Sequence, residues 1–151
     1  MMTEQDMIIS GKNMRLLIDS NILLDVLQAR TEHYMPSYAV WKLCEKGLAD
    51  GYISSLTFAN IVYIMRKQLR YDEIGYLLQN LKNAFYFADL TLDIFDEAAK
   101  MGWRDFEDAV QSATASRINA DYIITRNAKD FEGSTVKAVT PEEYFAEIFT
   151  V

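Results

Sequence analysis

Short apolar runs that end abruptly in a polar or acidic residue, each followed by a helical pattern, constrain this chain more than any other feature. The first is RLLID, from Arg15 to Asp19, with three consecutive large aliphatics closed by a carboxylate. An unbroken apolar run of that length reads as a strand buried on both faces. Tyr52–Ser55, the aromatic Ala84–Ala88, Tyr122–Thr125 and Val136–Val139 are further strand candidates. Strands alternating with helices predict a mainly parallel sheet of about five strands, covered on both faces as a three-layer α/β/α sandwich. That class presents its functional groups just beyond the carboxyl ends of the strands.

The intervening segments carry helix signals. Ser20 or Asn21 can cap a helix over Leu23, Leu24 and Leu27, and Pro36 suits the first turn of a helix running to about Lys46 and stopped by Gly47. Ser55 can cap an apolar helix through Ile61 and Met65 to about Arg70, and Asp72 one that reaches Asn83. Thr91 opens a helix ending at Gly102, Asp105 opens another reaching about Asn119, and Pro141 starts a last one.

Composition sets the outer bounds. A chain of 151 residues, half of them hydrophobic and a quarter charged, suits one packed domain. The apolar pattern begins near Met14, so residues 14–151 read as that domain and residues 1–13 as a loose extension or a start codon assigned too early. Neither a signal-peptide pattern nor an apolar stretch of bilayer length is present, and the single cysteine, Cys44, permits no intrachain disulfide. These features lead to the expectation of a cytoplasmic protein that does not enter a membrane. The net charge of −7, with basic residues scattered, argues against a simple phosphate-gripping module. It is compatible with a cation site, because a bound metal reverses the local field.

The polar residues at the predicted strand ends each have two readings. Asp19 is either a partner for the helix that follows or a charge that needs a counterion at the end of a central strand. Asp105 and Asp108 resemble a capping box, yet a spacing of three also puts both on one helix face, able to aim at one ion, with Glu107 pointing elsewhere into solvent. Asn127 and Asp130, after the fourth strand, suit a capped polar turn equally well. Three such motifs in sequence order, two just past strands and one at a helix start, are harder to explain by local structure.

Asp19 within LLIDSNILLDVL, the DFEDAVQSATA helix start and the DYIITRNAKDF segment together resemble the PIN domain family, over about Met14 to Phe149. The likeness is to the bacterial branch with toxin-like ribonucleases of toxin–antitoxin pairs, and the TRNxxDF ending is similar to a subgroup with Asn where many relatives have Asp. The resemblance implies hydrolysis of RNA phosphodiester bonds with Mg²⁺ or Mn²⁺ held by acids. It assigns Asp19, Asp108 and Asp130 as catalytic and metal-binding carboxylates, with Asp130 standing in for the acid that Asn127 replaces. Asp105 becomes an extra ligand or supporting group, and Thr125 the hydroxyl beside the metal. Where the family carries a Glu on the helix after its second strand, this chain has Asn60, which brings an amide oxygen but no charge. Implied partners are an RNA substrate and an antitoxin, with a second copy of the chain a further candidate; the aromatic and methionine content around Tyr34–Trp41 and Phe58–Met65 suits a surface that receives the antitoxin, and core packing explains those residues equally well.

Two other readings stand beside this one. The amides at Asn60 and Asn127 suit a PIN-like domain that binds RNA or protein without cutting. A small phosphohydrolase also places an acid after its first strand, but Asp25 lies too far along the helix to serve as its second acid.

Overall fold

The computed structural model describes residues 13–149. The expected extension lies outside the described residues except for Asn13, whose Nδ2 donates to Gly47 O at 2.8 Å. Five strands are present: β1 (Arg15–Ile18), β2 (Asp50–Ser54), β3 (Tyr86–Ala88), β4 (Tyr122–Ile124) and β5 (Ala138–Val139). They form one sheet in the order β3-β2-β1-β4-β5, with every pairing parallel. Seven helices connect or flank them: α1 (Ser20–Leu27), α2 (Tyr34–Glu45), α3 (Ser55–Ile64), α4 (Ile74–Ala84), α5 (Leu92–Met101), α6 (Phe106–Arg117) and α7 (Pro141–Ile148).

The strand period of two separates the layers. Leu16 and Ile18 face a core shared with Leu23 of α1, Trp41 of α2, Leu81 of α4 and Tyr144 of α7. Leu17 faces the other way, onto Ala115 of α6, with Ile123 and Phe131. The small residues Ala109 and Ala113 then let α6 lie close to Ile94 and Ala98 of α5. The result is the three-layer sandwich that the alternation predicts.

Several local boundaries differ from the sequence reading. Asp19 caps α1 itself, its Oδ1 accepting from Ser20 N at 2.9 Å, so neither Ser20 nor Asn21 is needed there. Ser54 rather than Ser55 caps α3, accepting from Thr57 N at 3.1 Å. That helix stops at Ile64, and a 3₁₀ turn over Tyr71–Glu73 leads into α4. β3 starts two residues later than expected because Ala84 still belongs to α4, and β5 keeps only the last two of its four expected residues. Gly51 is held to glycine by close approach, since a Cβ there would lie 2.6 Å from Cys44 Sγ. Burial at that contact pushes the Cys44 thiol up to about 12, which leaves it inert.

From β1 the chain goes to β2 on one side and, after β3, to β4 on the other. That reversal opens a crevice beyond the carboxyl ends of β1 and its neighbours, where Asp19, Ser54 and Thr125 begin their connections.

Candidate functional site: an acidic pocket without a counterion

A pocket of about 210 Å³ lies over that crevice. Five carboxylates line it: Asp19 from the end of β1, Asp105, Glu107 and Asp108 from the start of α6, and Asp130 from the loop after β4. The amide side chains Asn60, Gln111 and Asn127 complete much of the rest. Acids remote in sequence therefore do converge, and no lysine or arginine lines the pocket. Among the described residues none of the five enters an ion pair.

Asp19 is the most firmly placed. Its backbone N donates to Ile124 O at 2.9 Å, tying the end of β1 to β4. Thr125 Oγ1 donates to Asp19 Oδ2 at 2.8 Å and in turn accepts from Asn127 N at 3.1 Å. Gln111 Nε2 approaches Asp19 Oδ1 at 3.4 Å and donates to Thr57 Oγ1 at 3.1 Å. Burial raises the Asp19 carboxyl above its ordinary value, although the bonds from Thr125, Ser20 and Gln111 oppose the shift.

Asp108 has no comparable set of donors. Desolvation first, and then repulsion from Asp105, Asp19, Asp130 and Glu107, push its carboxyl up to about 7. That repulsion is an electrostatic sign of convergence: four other acids act on one. Asp105 caps α6 by accepting from Asp108 N at 3.2 Å, so the capping geometry and the pocket position coexist. Asp130 sits on a 3₁₀ turn over Ala128–Phe131, its N donating to Asn127 O at 2.9 Å.

Three residues in the pocket go beyond the sequence reading. Gln111 carries a signal that was there to be read, since it lies three residues after Asp108 on the same face of α6. Thr57 lies three after Ser54 at the start of α3 and gives less indication. Glu107 is exposed, as expected, yet it lines the pocket rather than pointing away from it. The start of α6 lies beside α3, and Asn60 Nδ2 donates to Glu107 Oε2 at 3.3 Å.

The donor set is made of hard oxygens, the chemistry that Mg²⁺ and Mn²⁺ prefer. The Gln111 side chain is buried within it, and its Oε1 has no hydrogen-bond partner in the protein. Among the described residues, however, no three acids stand close enough to form a ready-made cage. The two observations agree if the site is an open one. Mg²⁺ is held by one or two carboxylates and keeps several waters, with room for phosphate oxygens.

Fold and pocket define an all-parallel α/β protein with an uncompensated acidic site at its topological switch point. Within that class the chain belongs to the PIN domain family, whose model matches residues 15–129. No curated protein matches the sequence. Solved structures share the fold. One is a chain of a toxin–antitoxin complex from Klebsiella pneumoniae, 24% identical with a TM-score of 0.63, covering 83% of this chain and 97% of that one. Another is VapBC2 from Rickettsia felis bound to a DNA fragment from their promoter, 18% identical with a TM-score of 0.64, covering 84% and 98%. A third is the Sarcin-Ricin loop cleaving toxin VapC20 of Mycobacterium tuberculosis, 11% identical with a TM-score of 0.58, covering 72% and 86%.

Proposed function

We propose that this chain is a ribonuclease that uses Mg²⁺ or Mn²⁺ to hydrolyse RNA phosphodiester bonds, and that it is the toxin of a toxin–antitoxin pair. The observation that carries the reading is the pocket of five carboxylates with no internal cation. An acid cluster left so negative is costly unless a charge from outside completes it. Asp19, Asp108 and Asp130 are the proposed catalytic and metal-holding acids, with Asp105 as an additional ligand or support. Placement in the subgroup with the TRNxxDF ending is part of the same proposal.

When bound, the ion would polarise a phosphoryl oxygen and lower the pKa of a water. The side chains do the remaining work. Thr125 and the Ser20 amide fix the Asp19 carboxylate, one on each oxygen, so it meets a cation without reorganising. Asp108, whose carboxyl its burial and acidic neighbours push up to about 7, would lose its proton if a cation were held beside it. Asn127 and Asn60 offer amide groups at the rim, where they can hold water or a phosphate oxygen without adding repulsion.

Support for the partners comes from two sides. The structural relatives include toxin–antitoxin assemblies, and VapC20 is described as a Sarcin-Ricin loop cleaving toxin, a cleaving precedent on this fold. On this chain Met35 is 71% exposed and Tyr63 65%, so the two segments expected to receive an antitoxin keep apolar side chains outside the core, whereas Trp41, Ile61 and Met65 are buried in it. No helix among the described residues is long and apolar enough to cross a membrane.

The test is cleavage of a structured RNA in Mn²⁺, with Asp19→Ala and Asp108→Ala as controls. Cleavage that needs the ion and vanishes in both variants supports the reading. Activity surviving in both identifies a contaminant, and metal-dependent RNA binding without cleavage selects the non-cutting alternative that the amides at Asn60 and Asn127 suggest.

A further inference from the structure

Arg66, Lys67 and Arg70 crowd together just past the end of α3, in a chain whose net charge is −7. Arg70 is engaged by Asp72 at 3.1 Å and by Glu73 at 3.6 Å. Among the described residues Arg66 and Lys67 enter no ion pair, and both are exposed. Arg66 is nevertheless held in place. Its Nη1 donates to Tyr63 O at 2.8 Å, and its guanidinium lies over the Tyr63 ring, 4.2 Å from the centroid. That ring is 65% exposed. The pair therefore offers solvent an aromatic surface with a fixed positive charge on it, and guanidinium N–H groups left over for an acceptor.

Its place on the molecule links it to the acidic pocket. Asn60 lines that pocket, and Tyr63 follows three positions later on the same side of α3, about 5 Å further along the helix axis. Beyond it, Arg66 opens a groove of about 700 Å³ with Val62, Leu69 and Ile74 in its lining. Arg70 and the 90% exposed Tyr71 border the same groove, and its Asp72 is the acid already paired with Arg70. Moving away from the pocket, acids thus give way to aromatic rings and unpaired cations. A polyanion with flat rings matches that sequence, since its bases stack on aromatic and guanidinium surfaces while its phosphates meet the cations. An acidic peptide would match the charge but leave the ring surfaces unused.

We propose that Tyr63 and Arg66 form a stacking and phosphate-binding subsite for a single-stranded flank of the RNA whose scissile phosphate sits at the acidic pocket. This rests on the ribonuclease reading of that pocket. It gives an acidic protein a local hold on a polyanion, placed along α3 rather than among the carboxylates. Tyr63 also lies in the segment proposed to receive an antitoxin, so a partner seated there would compete with the strand.

The experiment is fluorescence anisotropy of a short labelled single-stranded RNA with the full chain carrying Asp19→Ala, so that the RNA stays intact. Tyr63→Ala, Tyr63→Phe and Arg66→Glu are each added to that background, and thermal melts verify that every variant is folded. Tyr63→Ala is expected to weaken binding by about tenfold, while Tyr63→Phe keeps it, because stacking needs the ring and not the hydroxyl. Arg66→Glu should weaken binding as much and reduce the slope of log affinity against log salt by about 0.7, the loss of one phosphate contact. In the chain with Asp19 intact, Arg66→Glu should raise KM and leave kcat unchanged. Unchanged affinity in Tyr63→Ala and Arg66→Glu overturns the proposal, and an equal loss in Tyr63→Phe overturns the stacking role. Unchanged RNA affinity with loss of a co-purifying protein in Arg66→Glu overturns it as well, and makes the face a protein-docking one. If the chain binds no RNA, this proposal and the nuclease reading fall together. If the variants bind more weakly as expected but the chain with Asp19 intact cuts no RNA, the subsite stands and the nuclease reading alone fails.

Discussion

Two aspartates lie six positions apart around α1, and the protein treats them in opposite ways. Asp25 is completely buried and is met from three sides: Ser37 Oγ donates at 2.8 Å, Arg126 Nε at 2.9 Å, and Arg30 Nη1 stands 3.6 Å away. Asp19 has hydroxyl and amide donors but no cation, and it faces other acids. The difference separates an acid that the fold compensates from one proposed to await a cation. Asp25 has its counter-charge supplied by the fold and locks the loop after β4 onto α1 and α2. The pocket around Asp19 is left without an internal cation, so a cation bound there would lower its energy. Burial alone would have selected the wrong aspartate.

That contrast can be broken by substitution. Asp25→Ala leaves Arg126 and Ser37 without their partner and is expected to cost about 3–5 kcal/mol in denaturant unfolding. Asp19→Ala should not show a loss of that size, and equal losses would erase the distinction. In the cleavage assay the order reverses: Asp19→Ala or Asp108→Ala lowers kcat/KM by about a hundredfold or more, about 3 kcal/mol of transition-state stabilisation. Mn²⁺ should raise the stability of the unmodified protein by about 2.7 kcal/mol at a hundred times its dissociation constant. Its effect on the melting temperature should disappear in Asp19→Ala and persist in a variant of the Asp25 cluster that still folds, such as Ser37→Ala.

The smallest effect concerns pH. Asp108 titrates near 7 in the folded metal-free protein against an ordinary value of 3.8, so the folded state binds more protons between those values. Stability is then highest below about 4 with respect to this group and falls as the pH rises toward 7. Asp108→Asn removes that loss. It should be more stable than the unmodified chain above pH 7 by about 1 kcal/mol, a value held down by solvent screening of this partly exposed group, and indistinguishable near pH 4. A variant that is less stable at every pH would mean the carboxylate is already compensated, as Asp25 is.

β1 and β4 were legible because each carries a short apolar run whose next residue changes character at once, at Ile18–Asp19 and Ile124–Thr125, whereas β2 opens on Asp50 and Gly51 and β5 is shortened after Lys137. Helix ends at Thr91, Gly102 and Asp105 were legible for the same reason: the local hydrogen-bonding chemistry that caps a helix is carried by the residue itself. Asp72 misled because Glu73 makes the actual contact there, accepting from Arg70 N at 2.9 Å to start a 3₁₀ turn. Glu107 misled because helical spacing describes only its own helix, while its partner Asn60 is on another. Asp25 looked idle by spacing, and its true role depends on Arg126, a hundred and one residues away.

By itself the sequence determined the parallel α/β architecture, the position of Asp19 at a strand end and the presence of polar groups after several strands. Those features follow from periodicity and from side chains acting within a few residues of themselves. Only the tertiary structure decided which acids acquire an internal cation and which do not. A charge's cost depends on the distance to other charges and on the water removed from around it, and both are set by helices and strands that meet from distant parts of the chain. The approach of the start of α6 to α3 put Glu107 at the pocket, and the packing of α1 against α2 and the β4 loop took Asp25 out of contention.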